Sequence, residues 1–201
     1  MQAKAINRQP PSANLKTRLR AEALALRRQV SLSKGVAVAQ ALSSRGLPLI
    51  RALPNRQIIA GYFPIRDELD ALPLLQALHD AGSVISLPAI QPGPALIFRT
   101  WTPGEPLKRG QLGLSEPPAG HPETVPSIVL VPLLAFDGEG NRLGYGAGYY
   151  DAALRDLRGR VPVIAIGLGF DEQQFPEIPR EPQDEPLDMI LTPLRTMACG
   201  A

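Results

Sequence analysis

Residues 131–154 read VPLLAFDGEGNRLGYGAGYYDAAL, and the residue types and spacing there could hold a phosphate. An apolar run over 128–136 stops at Asp137 and gives way to a loop with Arg142 and three alternating glycines, Gly144, Gly146 and Gly148. Tyr149, Tyr150 and Asp151 follow, and a helical pattern then begins. Glycines let several backbone N–H groups converge on an anion without side-chain obstruction, and a helix N-terminus adds a favourable dipole. Arg142 contributes a permanent charge and a planar fork of donors. A glycine triplet alone is more often a flexible connection. The arginine, the two tyrosines and the aspartate in one uninterrupted block weigh against that reading here. Two other phosphate loops do not fit: no GxxxxGK[ST] occurs, and a dinucleotide fingerprint needs glycine where Tyr149 stands. Asp151, directly after the glycines, suits a magnesium ion held by carboxylates and phosphate oxygens, with helix N-capping as the alternative.

The remaining inventory excludes several chemistries. His79 and His121 have no partners at metal-ligand spacing, and no GxSxG occurs, which argues against a zinc site and a serine hydrolase. The single cysteine, Cys199, lies at what reads as a frayed C-terminus and allows no disulfide within one chain. That fits a reducing cytoplasm. A length of 201 residues suits one domain, and 44% hydrophobic with 20% charged residues is ordinary for a globular protein. A net charge of +2 is too small to imply nucleic acid. Lys16, Arg18, Arg20, Arg27 and Arg28 crowd the first helix, but without interleaved aromatics they read as a solvated face. No apolar run reaches membrane-spanning length, and the first dozen residues lack the apolar stretch of a secretory leader.

These residues must be positioned by elements of an α/β domain. Ser12 or Asn14 could cap a helix to about residue 30, with Leu15, Leu19, Ala23, Leu26 and Val30 on one face. Ser33 could cap a second helix to about residue 53, interrupted near Gly46 and Pro48. Asp70 could cap a third over 71–81, with Pro73 in its first turn. Strands are expected at 57–63, 84–90, 96–101, 128–136, 161–168 and 189–192, and another helix begins at 152–157. Continuous apolar strands alternating with helices predict an open, mainly parallel sheet flanked by helices in a Rossmann-like three-layer arrangement. Its ligands would bind beyond the carboxyl ends of the strands. Residues 1–12 read as a disordered extension, 13–195 as a single α/β domain and 196–201 as a tail. The proline- and glycine-rich stretch 91–126 reads as a long, functional loop.

The block closely resembles the C-terminal signature of the 5-formyltetrahydrofolate cyclo-ligase family, roughly VPGxAFDxxGxRLGxGxGYYDxxL. It departs at Leu133, where the family usually has glycine. Four further segments match. Lys16 and Arg20 fit the family's K-x-x-x-R. AGYFPIRDELDALPLL over 60–75 resembles YxPxxxEIDTxPLL, and FRTWTPGEPLKRGQLGLSEP over 98–117 resembles FRxWxPGxPLxxGxxGIxEP. PREPQDEPLDMILTP resembles PxExHDxPxDxxxT, with Gln183 at the usual histidine.

The resemblance implies ATP-dependent conversion of 5-formyltetrahydrofolate to 5,10-methenyltetrahydrofolate, with ADP and phosphate released. It implies phosphate cations at Lys16, Arg20 and Arg142, which are the catalytic candidates. Further ATP contacts are implied at Leu143, Gly144, Gly146, Ala147, Gly148, Tyr149 and Tyr150. A folate site is implied at Tyr62, Phe63, Glu68, Trp101, Tyr145 and Tyr149, with a core position as the alternative for Trp101. Magnesium would be held by Asp151 and Asp184, with Asp188 at the other acidic position, and Glu116 and Pro117 would shape a loop near the nucleotide. A cytoplasmic monomer, with a dimer as the alternative and no nucleic-acid or membrane partner, completes the expectation. Two competing readings are a regulatory module that binds ATP without turnover and an RNA-binding module built on the basic helix.

Overall fold

Strands that are apolar on both faces need cover on both sides, and the computed structural model supplies it with helices. It describes residues 11–91, 96–110 and 114–200, with side chains for all of these except 11–14, 35 and 36. Residues 1–10 of the expected extension, and the side chains of Ser12 and Asn14 as caps, lie outside the described residues, as do 92–95 and 111–113 of the 91–126 stretch.

The elements run in chain order: α1 (Pro11–Ala52), β1 (Ile58–Ala60), α2 (Leu72–Asp80), β2 (Val84–Ile90), β3 (Leu96–Thr100), β4 (Lys108–Arg109), β5 (Ser115–Glu116), β6 (Glu123–Thr124), β7 (Ile128–Pro132), β8 (Ala135–Phe136), β9 (Arg142–Leu143), α3 (Tyr149–Arg158), β10 (Ile164–Leu168), β11 (Met189–Leu191) and β12 (Thr196–Ala198). Eight strands form one sheet in the order β12-β11-β10-β7-β1-β2-β3-β6. The run from β11 to β2 is parallel, while β12 at one edge and β3 and β6 at the other are antiparallel. Alternate residues divide the core. Ile59, Ile128, Leu130, Ile166 and Leu168 face α1 and α2, whereas Ala60, Val129, Val131 and Ala165 face α3. The three-layer expectation holds.

Three local expectations do not. The first two helices are one, α1, running through Ser33, Gly46 and Pro48. Ser33 does not cap; its hydroxyl donates back to the Val30 carbonyl at 2.8 Å, a bond that a serine inside a helix can make. Gly46 is a close-packing position, since a Cβ there would lie 2.9 Å from Leu191 and 3.0 Å from Leu74. Burial of Leu42 and Ile50 on either side of it outweighs the local cost of Pro48, about 3 kcal/mol in an isolated helix. On the apolar stripe of α1, Ala23 and Val30 are buried but Leu15 is exposed.

The second departure concerns the tail. Thr196–Ala198 pairs with β11, and half-buried Cys199 donates its N–H to the Asp188 carbonyl at 2.9 Å, so this end is not frayed. In the third, the expected strand over 128–136 breaks after Pro132, and β8 pairs instead with β9 in a small hairpin. Asp70 does accept the Leu72 N–H at 2.9 Å at the start of α2, although the first helical flank is Ala71.

Candidate active site

The hairpin of β8 and β9 is held by Asp137, which is buried and accepts the N–H groups of Glu139, Asn141 and Ile178, each at 3.0 Å. This anchor delivers Arg142 and the glycine loop to the carboxyl end of β7. Gly146 at φ 98° and Gly148 at φ 71° occupy backbone conformations that side-chain-bearing residues rarely adopt. Gly148 is the residue from which α3 starts. The loop borders a cavity of about 620 Å³ that also takes in the ends of β2 and β7 and the segment 62–68.

Two cations of α1 turn toward this cavity, whereas Arg18 and Arg28 stay exposed. Lys16 is only 5% exposed, and its ammonium donates to Asp184 at 2.5 Å and to Glu181 at 2.8 Å. Arg20 donates from Nε to the Gly144 carbonyl at 3.0 Å and lies against Gly146. Arg142 donates to Asp151 at 2.5 Å and to the Glu185 carbonyl. Burial lowers the Arg142 pKa, and the nearby charges of Asp151 and Asp184 oppose that shift. Lys16, Arg20 and Arg142, from distant parts of the chain, thus line one cavity with the glycine loop. Among the described residues, Asp151 and Asp184 both face that cavity, and no group of three His, Cys, Asp or Glu side chains forms a ready metal cage. Two carboxylates with room for phosphate fit magnesium, which keeps water and substrate oxygens among its ligands. Asp151 makes no capping bond to α3. It accepts instead from Arg142 and from the Glu185 N–H at 3.1 Å.

Around Tyr62 and Phe63 the lining is largely apolar, with Glu68 as its acid and Arg66 beside it. Tyr62 is buried and donates its hydroxyl to the Leu69 carbonyl at 2.7 Å, and burial pushes its phenol pKa well up. Burial similarly raises the Tyr150 phenol, with the charge of Glu68 adding to the effect. Burial pushes the Glu68 carboxyl up to about 7, against the Ile65 N–H and the charges of Arg27 and Arg66.

Residues 12–193 match the profile of the 5-formyltetrahydrofolate cyclo-ligase family. The chain belongs to that family. It is 34% identical over 158 residues to the 5-formyltetrahydrofolate cyclo-ligase of Haemophilus influenzae, covering 76% of this chain and 83% of the relative. It is 33% identical over 196 residues to that of Mycolicibacterium smegmatis, covering 92% and 96%. The solved 5,10-methenyltetrahydrofolate synthetase of Aquifex aeolicus superposes with a TM-score of 0.73 at 27% identity, covering 93% of this chain and 94% of that one. Membership makes this chain a folate ligase, converting 5-formyltetrahydrofolate to 5,10-methenyltetrahydrofolate at the expense of ATP.

Most residues that the cyclo-ligase resemblance pointed to line the cavity: Lys16, Arg20, Tyr62, Phe63, Glu68, Arg142 to Asp151, and Asp184. Trp101 does not. It is 5% exposed, belongs to the core shared with α1 and α2, and donates Nε1 to the Glu105 carbonyl at 3.1 Å. It is a core residue outside the lining of the cavity. Asp188 is also structural, accepting from Arg158 at 2.9 Å and from the Ala165 N–H at 2.7 Å. Glu116 braces a loop beside the cavity, accepting the Ile90 N–H at 3.2 Å and lying over Gly110. Gln183 donates to Glu181 at 3.0 Å, so it holds the acid that holds Lys16. Leu133, at the family's glycine, fills space left by Gly167 and Gly169, where an added Cβ would lie 2.9 Å from its methyl groups.

Sequence reasoning missed Arg27. Its guanidinium is 1% exposed and donates to the Leu133 carbonyl at 3.2 Å and to the Tyr145 hydroxyl. It is no part of a solvated face. A signal was available, since positions 16, 20 and 27 fall on one helical stripe.

Proposed function

We propose that the cavity binds magnesium–ATP along the glycine loop and 5-formyltetrahydrofolate against Tyr62, Phe63 and Glu68, and joins them by phosphoryl transfer. One observation carries this reading: Lys16, Arg20 and Arg142 converge with the glycine loop on one cavity whose lining around Tyr62 and Phe63 is largely apolar, with Glu68 as its acid and Arg66 beside it. The γ-phosphoryl group moves to the formyl oxygen, so a P–O bond forms there and ADP departs. N10 then attacks the formyl carbon, the C–O bond breaks with phosphate leaving, and N10 gives up its proton. The chain's work is positioning and charge neutralisation. Lys16, Arg20 and Arg142 neutralise phosphate oxygens, and the N–H groups of the loop cradle them. Asp151 and Asp184 would hold magnesium, which when bound offsets charge on the β- and γ-phosphates. Glu68 faces the folate.

A cytoplasmic location is supported by the single free cysteine. No helix among the described residues is long and apolar enough to cross a membrane. We take the enzyme to be a monomer, with a dimer as the alternative. The inward turn of Lys16, Arg20 and Arg27 leaves little of the basic stripe that RNA would need. The test is to incubate purified protein with magnesium–ATP and 5-formyltetrahydrofolate and to measure methenyltetrahydrofolate and ADP together. Equal amounts of both are expected. ATP binding without either product would favour the regulatory module, and salt-sensitive RNA binding without turnover the RNA reading.

A further inference from the structure

Tyr145 belongs to the glycine loop, yet its ring is held by arginines from two other segments. Arg27 of α1 lies with its guanidinium carbon 5.4 Å from the ring centroid, and Arg66, in the connection between β1 and α2, lies at 5.7 Å. Arg27 is fixed: it is buried, bonded to the Leu133 carbonyl at the end of β7, and bonded to the Tyr145 hydroxyl. Arg66 is exposed, but its backbone is held at φ 52°, a region that arginine rarely adopts and that the surrounding structure must maintain. The connection that carries Arg66 also carries Tyr62, Phe63 and Glu68, and the Glu68 carboxylate lies 3.8 Å from Arg27. The segment facing the folate and the segment facing the phosphates therefore meet at one tyrosine ring.

We infer that Tyr145, gripped by Arg27 and Arg66, is a positioning residue that couples the two halves of the cavity, so that each ligand tightens the binding of the other. The inference rests on the assignment of ATP and folate to those two halves. Each ligand orders the segment it touches. Because Arg66 and Tyr145 share a contact, ordering one segment leaves less freedom to be lost when the other is ordered, which is positive coupling. The reaction rewards such a link, because the formyl oxygen must be aligned with the γ-phosphorus and neither segment can set that alignment alone. Arg27 and Arg66 reach the ring by charge–quadrupole attraction, so the link depends on a cation and an aromatic face and not on one hydrogen bond.

The experiment is calorimetric. The dissociation constant of a non-hydrolysable magnesium–ATP analogue is measured with and without saturating 5-formyltetrahydrofolate, and the ratio of the two is the coupling factor. The parent protein is expected to give about fivefold or more, the lower end of typical couplings. Arg66→Met and Tyr145→Leu should bring the factor close to one. Arg66→Lys should keep most of it, because an ammonium also stacks on a ring, and Tyr145→Phe should keep most of it because the ring remains. Melting temperatures of all variants check folding, and Arg66, being exposed, tolerates replacement. A factor of one in the parent overturns the coupling, as does a factor unchanged in Arg66→Met and Tyr145→Leu. Weaker folate binding in Arg66→Met with the factor intact would make Arg66 a direct folate contact and also overturn it. A parent that binds both ligands and turns them over while the factor ignores these variants leaves the proposed function standing and removes only the coupling. A parent that binds neither ligand removes both.

Discussion

A lysine buried against two carboxylates is poised to exchange partners. Lys16 holds Glu181 and Asp184 now, and would turn part of that charge to a phosphate. Lys16→Ala should raise the Michaelis constant for ATP about tenfold or more, since a hydrogen bond to a charged group contributes about 1.5–3 kcal/mol. Steady-state kinetics decide it, and an unchanged constant would remove Lys16 from the nucleotide site. Glu68 gives a pH prediction. Its pKa is raised from 4.5 to about 7 on folding, so the folded protein binds more protons than the unfolded chain between those values. The contribution of Glu68 to stability is then fully present below about 4.5, falls as pH rises through that window, and is lost above about 7. The loss is on the order of 3 kcal/mol. Glu68→Gln should therefore flatten the window and be more stable than the parent at pH 8, while binding folate less well. Denaturant titrations at pH 5 and pH 8 test this, and equal pH dependence in both proteins would refute it. The Gly-rich block was legible as a candidate phosphate loop because an arginine, two tyrosines and an aspartate stand in one run with the glycines, whereas Lys16 and Arg20 read by themselves as a solvated face and only the family resemblance drew them toward the cavity that they line. Arg27 was not legible, because composition alone makes an arginine on a basic helix look solvated. Trp101 lies in the core outside the cavity, the more frequent of the two places that the sequence left open for an aromatic beside a sheet edge.

At the level of elements, the parallel strands were legible from unbroken apolar runs, and their boundaries were not. The length of α1 was hidden by Pro48 and Gly46, whose local preferences for interruption are overridden by contacts with Leu74 and Leu191, residues far away in sequence. β12 escaped notice because three residues pairing at a sheet edge carry little pattern of their own. Packing between strands gives a further prediction. A Cβ on Gly167 in β10 would lie 2.6 Å from Leu187 and 2.9 Å from both Ile190 and Leu133. Gly167→Ala should cost about 1–3 kcal/mol by overpacking. Combining it with Leu133→Ala should cost less than the sum of the two single changes, because the smaller side chain vacates part of the contested space. Additive effects in chemical denaturation would mean that Leu133 and Gly167 do not share that space.

Across the whole molecule, the proposed magnesium site joins Asp151, before β10, with Asp184, after it. Asp151→Asn and Asp184→Asn should each raise the magnesium concentration needed for half-maximal turnover, and the double variant should lose less than the product of the two losses, since ligands of one ion act as a unit. Without magnesium the sign reverses: Asp184→Asn releases Lys16 from a counter-charge, so free ATP in chelator should bind more tightly than to the parent. Clean multiplicative losses, or weaker binding of free ATP, would detach Asp184 from this role. The bond between Lys16 and Asp184 spans 168 positions of the chain. A nascent polypeptide that has emerged from the ribosome as far as α3 already carries the glycine loop, Arg20 and Arg142, but Lys16 still lacks the two acids that fix it. Folding during synthesis can assemble the central sheet in stages, whereas the proposed magnesium site is complete only once Asp184 has emerged, so a chain cut short after α3 would lack one of its two proposed carboxylates and would leave Lys16 without its counter-charges.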